Sequence, residues 1–350
     1  MKKHIFLLVV AVLLSAASAC KKDQTSTSNP TPITWELNNG TLTISGIGAM
    51  PDYPESEFVP WYEYRESIDT VIIELGVTSI GDNAFYYCTR MTSITIPYSV
   101  TSIGDHSFFA CMGLTSIIIP SSVENIKNVA FASCLNLTSV ILPNSIKRVE
   151  ASTFANCTSL TSVTLPNRLL SIERGAFYRC FSLTTITVPD GVITIGSYAF
   201  SYTGLISIAL PNSVTSIGDH AFYLCPYLTS IIIPDGVTTI GEEFFYGCTN
   251  LTSIILPNSI TTIGERAFSR CENLPSIVIP KNVTSIGNGA FLTCTSLTSI
   301  INLNPVPVAL NPFVFYEVDQ SACTLKVPKS SVSAYQNADV WKEFNVVGIE

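Results

Sequence analysis

The sequence predicts a repeat solenoid: a right-handed coil of about 11–12 turns, with a parallel β-sheet on one face and short extended and helical or 3₁₀ segments elsewhere. Two observations predict it. Prolines return at Pro97, Pro120, Pro143, Pro166, Pro189, Pro211, Pro234, Pro257 and Pro280, and phenylalanines at Phe85, Phe108, Phe131, Phe154, Phe177, Phe200, Phe222, Phe245, Phe268 and Phe291. Every step is 23 residues except one of 22. Around these landmarks one unit recurs, A-F-x-x-C-x-x-L-T-S-I-x-I-P-x-x-V-T-S-I-G. A unit this short has no core of its own, so it buries its apolar side only against the units before and after it.

From the N-terminus, residues 1–19 have the plan of a secretory signal peptide. Two lysines precede an apolar run from Ile5 to Leu14, too short to cross a bilayer, and small residues follow. Ala17-Ser18-Ala19-Cys20 resembles a bacterial lipobox, in which Cys20 takes the lipid and becomes the mature N-terminus; the alternative is a plain A-x-A cleavage site. Lys21-Lys22-Asp23 is similar to the charged export signals of some Gram-negative surface lipoproteins. Residues 20–32 then read as a lipidated N-terminus and linker. Residues 33–67 form an expected β cap, with a hairpin turning at Asn39-Gly40.

The solenoid is expected over residues 68–303, its first strand at Ile68–Ile73, one period before Met91. L-T-S-I-x-I alternates apolar and small polar residues and then meets proline, which ends a strand. V-T-S-I-G is a second, shorter extended piece. The nine residues from Gly to Leu hold Ala and Phe inward, in a compact segment with room for one helical or 3₁₀ turn. Residues 304–350 supply a degenerate last strand, Cys323–Pro328, and a helical cap. In that cap Val332, Tyr335, Trp341 and Phe344 lie over the final turn. Both ends depart from the template because an open apolar end aggregates.

The repeat L-x-x-I-x-I-P-x-x-V-x-x-I-x-x-x-A-F-x-x-C, from about Ile68 to Leu303, resembles the BspA-like (treponemal-type) leucine-rich repeat. TLTISGIGAMPDY with Pro60-Trp61, and CTLKVPKSSVSAYQNADVWKEF, are similar to that family's end segments. The resemblance implies a leucine-rich-repeat-like coil on a bacterial surface protein, and adhesion to host matrix or plasma proteins such as fibronectin and fibrinogen in some members. It brings no shared ligand residues.

Composition and motifs exclude most chemistry. Apolar residues are 47% and charged ones only 13%, and the net charge of −8 becomes −10 once Lys2 and Lys3 leave with the signal. Nucleic acid and anionic membrane are therefore excluded as charge-held partners, and membrane contact is expected only through the N-terminal lipid. Nine cysteines, Cys88, Cys111, Cys134, Cys157, Cys180, Cys225, Cys248, Cys271 and Cys294, sit three residues after the repeat Phe. They form an inward ladder whose parallel side chains keep adjacent Cβ atoms beyond the usual bridging distance. Thr203 interrupts the ladder and leaves runs of five and four, so buried reduced thiols are expected. One thiol per turn without C-x-x-C offers no zinc site. His106 and His220 are expected in solvent-side loops about 25 Å apart, unable to share a site. Gly46-Ile47-Gly48 starts like a nucleotide loop, but the third glycine of that motif is Pro51. No acid–base or nucleophile pair assembles, so neither enzyme activity nor a cofactor is expected.

The outward positions of L-T-S-I-x-I carry the functional expectation. The Ser column runs Ser93, Ser116, Ser139, Ser162, Thr185, Ser207, Ser230, Ser253, Ser276 and Ser299. Beside it the x column runs Thr95, Ile118, Ile141, Thr164, Thr187, Ala209, Ile232, Ile255, Val278 and Ile301, without one charge. Four consecutive aliphatic residues at its end suggest a contact surface, and β-branched residues also simply favour strands. Ser230, Ile232, Ser253, Ile255, Ser276, Val278, Ser299 and Ile301 are the candidate ligand-binding residues. The expected partner is a protein, in keeping with the resemblance a host extracellular-matrix or plasma protein, met by an outer-membrane lipoprotein displayed at the surface. A self-associating envelope protein is the first alternative. The second is a glycan-binding accessory using Tyr86, Phe109, Tyr178, Tyr223 and Tyr246, with Tyr202 and Tyr227 nearby, although packing between neighbouring turns is the preferred reading of that row.

Overall fold

A computed structural model describes residues 31–350; the signal segment and Cys20, the expected lipidation site, lie outside the described residues. Each coil lays down three backbone ladders, one per face. On the first, L-T-S-I-x-I pairs in parallel and in register with its neighbours: Ser139 lies opposite both Ser116 and Ser162, and Ile232 opposite Ile255. On the second face the V-T-S-I pieces pair likewise, Ser102 with Asn125 and Ser171 with Thr194. Threonine is favoured beside both ladders because its hydroxyl donates to the carbonyl one coil back, as from Thr138 to Thr115 (3.1 Å) and from Thr261 to Thr238 (3.2 Å). The side chains thus repeat the axial bonding of the backbone.

The third face corrects the expectation of a helical or 3₁₀ turn. Two residues of each coil, four apart, take left-handed conformations: His106 (φ 53), Val129 (φ 60), Arg179 (φ 59) and Leu224 (φ 52) are examples. Each left-handed residue turns its N–H along the solenoid axis, so Tyr87 N–H donates to Phe109 O (2.8 Å) and Ser133 N–H to Ala155 O (2.7 Å). The repeat Phe between each left-handed pair donates the same way, Phe108 N–H to Ala130 O (2.8 Å), and the remaining residues close local turns, such as Tyr86 N–H to Asn83 O. A helix would keep all these bonds inside one coil; the left-handed steps spend half of them between coils. The conformation costs an L-residue roughly 1–2 kcal/mol each, which the inter-coil bonds offset. Coils approach so closely near Gly241 that a Cβ there would lie 2.3 Å from an Asp219 carboxylate oxygen.

The repeat phenylalanines stack into one buried column, with ring centroids 5.0 Å apart for Phe108–Phe131 and 5.8 Å for Phe154–Phe177, both nearly parallel. The column is capped at each end. Trp61 stacks on Phe85 at 5.9 Å and donates its indole N–H to Ala84 O. At the other end Phe315 continues from Phe291 and then meets Trp341 and Phe344 edge-on. The turned rings present no face to a further coil.

The N-terminal hairpin turns at Asn39-Gly40 between Thr34–Asn38 and Thr41–Ser45, and its second strand already belongs to the first face, pairing in parallel with Thr70–Ile73. The C-terminal end differs from expectation. Cys323–Pro328 is not the last strand, because Asn345–Ile349 adds in parallel beside it, with Leu325 opposite Val346. The cap helix is also shorter, Val332–Asn337, followed by a 3₁₀ turn at Trp341–Glu343 after Val340 at φ 70. That break lets Tyr335, Trp341 and Phe344 all reach the core, and Tyr335 Oη donates to Asn304 O (2.9 Å).

Candidate functional site

The first face is built by alternation: the Leu and both Ile of L-T-S-I-x-I enter the core and leave Ser and x outside. Ser230, Ser253 and Ser276 are exposed, with Ile232 at 63% and Val278 at 40%. Parallel pairing sets Ser230 beside Ser253 and Ile232 beside Ile255, and then Ser276 beside Ser299 and Val278 beside Ile301. The eight candidate residues therefore form two adjoining rows on one surface. Exposure falls toward the C-terminal end, where Ser299 and Ile301 are only half-exposed. Thr324 and Lys326 of the next strand stand beside them, and Lys326 closes the aliphatic row with a charge.

The outward column holds a second aliphatic group that the C-terminal emphasis of the sequence reading left out. Ile118 is 85% exposed, more than Ile141, Ile232, Ile255 or Val278, and Ile141 is exposed in the adjoining strand. A hollow of about 510 Å³ runs along their strands from Ser116 to Asn144. Both residues were legible as members of the column; only their exposure, which depends on side-chain direction, was not. Thr164, Thr187 and Ala209 separate the two groups.

The cysteine ladder lies in the core, with all nine repeat thiols buried and free. Each Sγ from Cys111 onward donates to the carbonyl of the Phe one coil back, Cys157 to Phe131 O at 3.2 Å and Cys225 to Phe200 O at 3.0 Å. Burial pushes the thiols up, to about 12 at Cys134 and about 11 at Cys225, so none is a ready nucleophile. Thr203 fills the gap in the ladder, donating to Phe200 O. Among the described residues no group of three or more His, Cys, Asp or Glu converges as a metal site.

The expectation about the imidazoles changes, while the tyrosine row takes the inter-turn packing that the sequence favoured. His106 and His220 are half-buried rather than free in solvent: His106 rests against Phe109, and His220 stacks on Tyr198 at 4.4 Å with Nε2 3.4 Å from Glu243 Oε2. The tyrosine row packs between coils, Tyr86 on Phe109 at 5.0 Å and Tyr223 on Tyr246 at 5.1 Å. Their rings are engaged with one another and leave edges and hydroxyls to solvent. No helix among the described residues is long and apolar enough to cross a membrane.

Comparison with known proteins follows the same geometry. A family profile described as "BspA type Leucine rich repeat region" matches residues 78–206 and 193–317, with six copies. Among solved structures the chain is similar to a leucine-rich repeat protein from Bacteroides ovatus, at 24% identity, 93% of this chain, 100% of the other and TM-score 0.56. It is similar to a leucine rich cell surface protein from Faecalibacterium prausnitzii at 27% identity, 95% and 96% coverage and TM-score 0.52. The pneumococcal vaccine antigen PcpA shares the fold, at 18% identity, 92% and 98% coverage and TM-score 0.52. Comparison with curated proteins returns no match.

Proposed function

The chain belongs to the BspA-type leucine-rich-repeat family, and from that premise we propose that it is a surface-displayed, non-catalytic scaffold that adheres to a protein through its Ser/aliphatic sheet face. The family and fold are those of protein-interaction scaffolds in general. The observation that carries the finer reading is the registered pair Ile232 and Ile255, with Val278 exposed two strands on from Ile232, beside Ser230, Ser253 and Ser276 and without a charge in either row. Single exposed isoleucines are ordinary, whereas an aligned row of them is a surface that gains by being covered. A flat, uncharged, hydroxyl-edged strip suits another protein better than an ion or nucleotide.

Location follows the same lines. The signal-like segment, the lipobox at Cys20 and a similar protein titled as a cell surface protein support an extracytoplasmic, lipid-anchored position. There the partner is a host matrix or plasma protein. The test is a pull-down from plasma and matrix extracts with residues 25–350, comparing wild type with the Ile232→Lys, Ile255→Lys double variant and with Ile118→Lys. Loss of capture in the double variant, with circular dichroism unchanged, supports the C-terminal row. Loss in Ile118→Lys alone moves the contact to the N-terminal group, and undiminished capture in all variants sinks the choice of face.

A further inference from the structure

The single 22-residue step has a structural result that sequence alone does not give. Where other coils read C-x-x-L, this one reads Thr203-Gly204-Leu205, one residue short. Gly204 draws in so far that a Cβ there would lie 2.2 Å from Phe181 O. The coil is thus recessed between two that are not, and the first-face ladder thins to isolated bridges, Thr187 with Ala209 and Ser207 with Ser230. What remains is a notch of about 360 Å³ at the corner where the chain enters the sheet face, with Phe181 on one wall and Tyr227 on the other. Both rings are more than half exposed. Tyr202, Thr203, Leu224 and Pro226 complete the lining.

Two coil spacings, about 9–10 Å, separate the coils that carry Phe181 and Tyr227. With roughly 3.5–4 Å of van der Waals contact on each side, that width admits one flat or chair-shaped ring. A cation stands beside the notch, against Tyr202 of its lining. The Arg179 guanidinium lies 5.4 Å from the centroids of both Tyr178 and Tyr202, while Arg174 stacks on Tyr198 in a separate hollow. Arg90, Arg148 and Arg266 pair with carboxylates, but Arg174 and Arg179 take part in no ion pair among the described residues. In a chain of net negative charge, one stacked and uncommitted guanidinium, Arg179, beside an aromatic slot matches a ligand with a ring and a carboxylate.

We propose that the notch at the shortened coil is a separate binding site for an acidic sugar, its ring held between Phe181 and Tyr227 and its carboxylate by Arg179. Aromatic faces take the C–H side of a pyranose, the tyrosine hydroxyls meet its hydroxyls, and the guanidinium sets the preference for a uronic or sialic acid over a neutral sugar. This site is distinct from the Ser/aliphatic row.

The test is calorimetric titration of residues 25–350 with hexagalacturonate and sialyllactose as acidic probes, and maltohexaose and lactose as uncharged ones. Binding of at least one acidic probe is expected, weakened at least about tenfold by Arg179→Met and by Tyr227→Ala. Inserting one Asn between Thr203 and Gly204, which restores the 23-residue step, should fill the notch and abolish binding. Circular dichroism checks that each variant folds, and Ile232→Lys must leave sugar binding unchanged, which separates this site from the protein-binding face. No acidic probe bound at about 10 mM, equal binding of the uncharged probes, or indifference to both substitutions overturns the proposal. So does tighter binding of a polyglutamate peptide, which would make the site one for acidic peptides.

Discussion

The nine repeat thiols should make this fold collapse in mild alkali. Burial is the first cause of each raised value, carrying Cys88, Cys134 and Cys294 to about 12 and Cys225 to about 11, from an ordinary 9.0. Cys111, Cys157, Cys180, Cys248 and Cys271 move the same way. The sign follows from linkage. A thiol whose folded value lies above its unfolded one adds stability that is complete below pH 9 and is lost as pH climbs toward 11 or 12. In that window the unfolded chain releases protons that the folded chain keeps. Each thiol then withdraws about half a kcal/mol at pH 9 and on the order of 1 kcal/mol at pH 10. Nine together withdraw a few kcal/mol at pH 9 and on the order of 10 kcal/mol at pH 10, which is comparable with the whole stability of an ordinary domain. The assay is urea denaturation of residues 25–350 under reducing conditions at pH 7, 8, 9 and 10. The midpoint should fall steeply above pH 8.5, and a Cys134→Ala, Cys157→Ala double variant should lose about two-ninths of the slope. A midpoint that stays level from pH 7 to 10 would refute the reasoning, as would the absence of free thiols after unfolding.

Smaller tests address packing and backbone. Phe154→Ala should cost about 3–5 kcal/mol in the same urea assay and Phe154→Leu far less, because the ring is fully buried between two parallel neighbours; equal midpoints would show that the column is not a core. Tyr335→Phe strands the Asn304 carbonyl and should cost about 1 kcal/mol, read as a lower melting temperature. Val129→Asn should do the opposite and stabilise by about 1 kcal/mol, since asparagine tolerates the φ of 60 that valine resists; a destabilised variant would mean that Val129 packing outweighs the strain.

The period was legible because each landmark has one job in every coil. Phe85 to Phe291 stack on each other, and the Leu and Ile of L-T-S-I-x-I all enter the core. The third face was not legible, because its conformation is set by where the N–H groups find partners. Val129, Arg179, Leu224 and Glu243 share a left-handed φ and have no side-chain feature in common. The last strand escaped because NVVGI carries none of the template; it forms against the open edge of Cys323–Pro328. For the candidate face, the order of residues was readable from alternation, while the fading exposure at Ile301 required knowing that Lys326 lies alongside. At the short coil the missing residue was countable, but a notch with aromatic walls appears only once Phe181 and Tyr227 are seen on either side of the recess.

The axial hydrogen bonds of all three ladders have a mechanical meaning. Tension applied between the two ends opens these bonds head-on, so the load falls on one coil boundary at a time and does not shear many at once. Each boundary that yields releases about 23 residues, or roughly 70–75 Å of extended chain after subtracting the coil spacing. Between a tether at one end and a captured ligand, such a molecule is a ratcheting spring that dissipates sudden pulls while the remaining coils stay intact. Single-molecule stretching should record a sawtooth of that step length, and one cooperative rupture of the whole rod would show that the coils fail together.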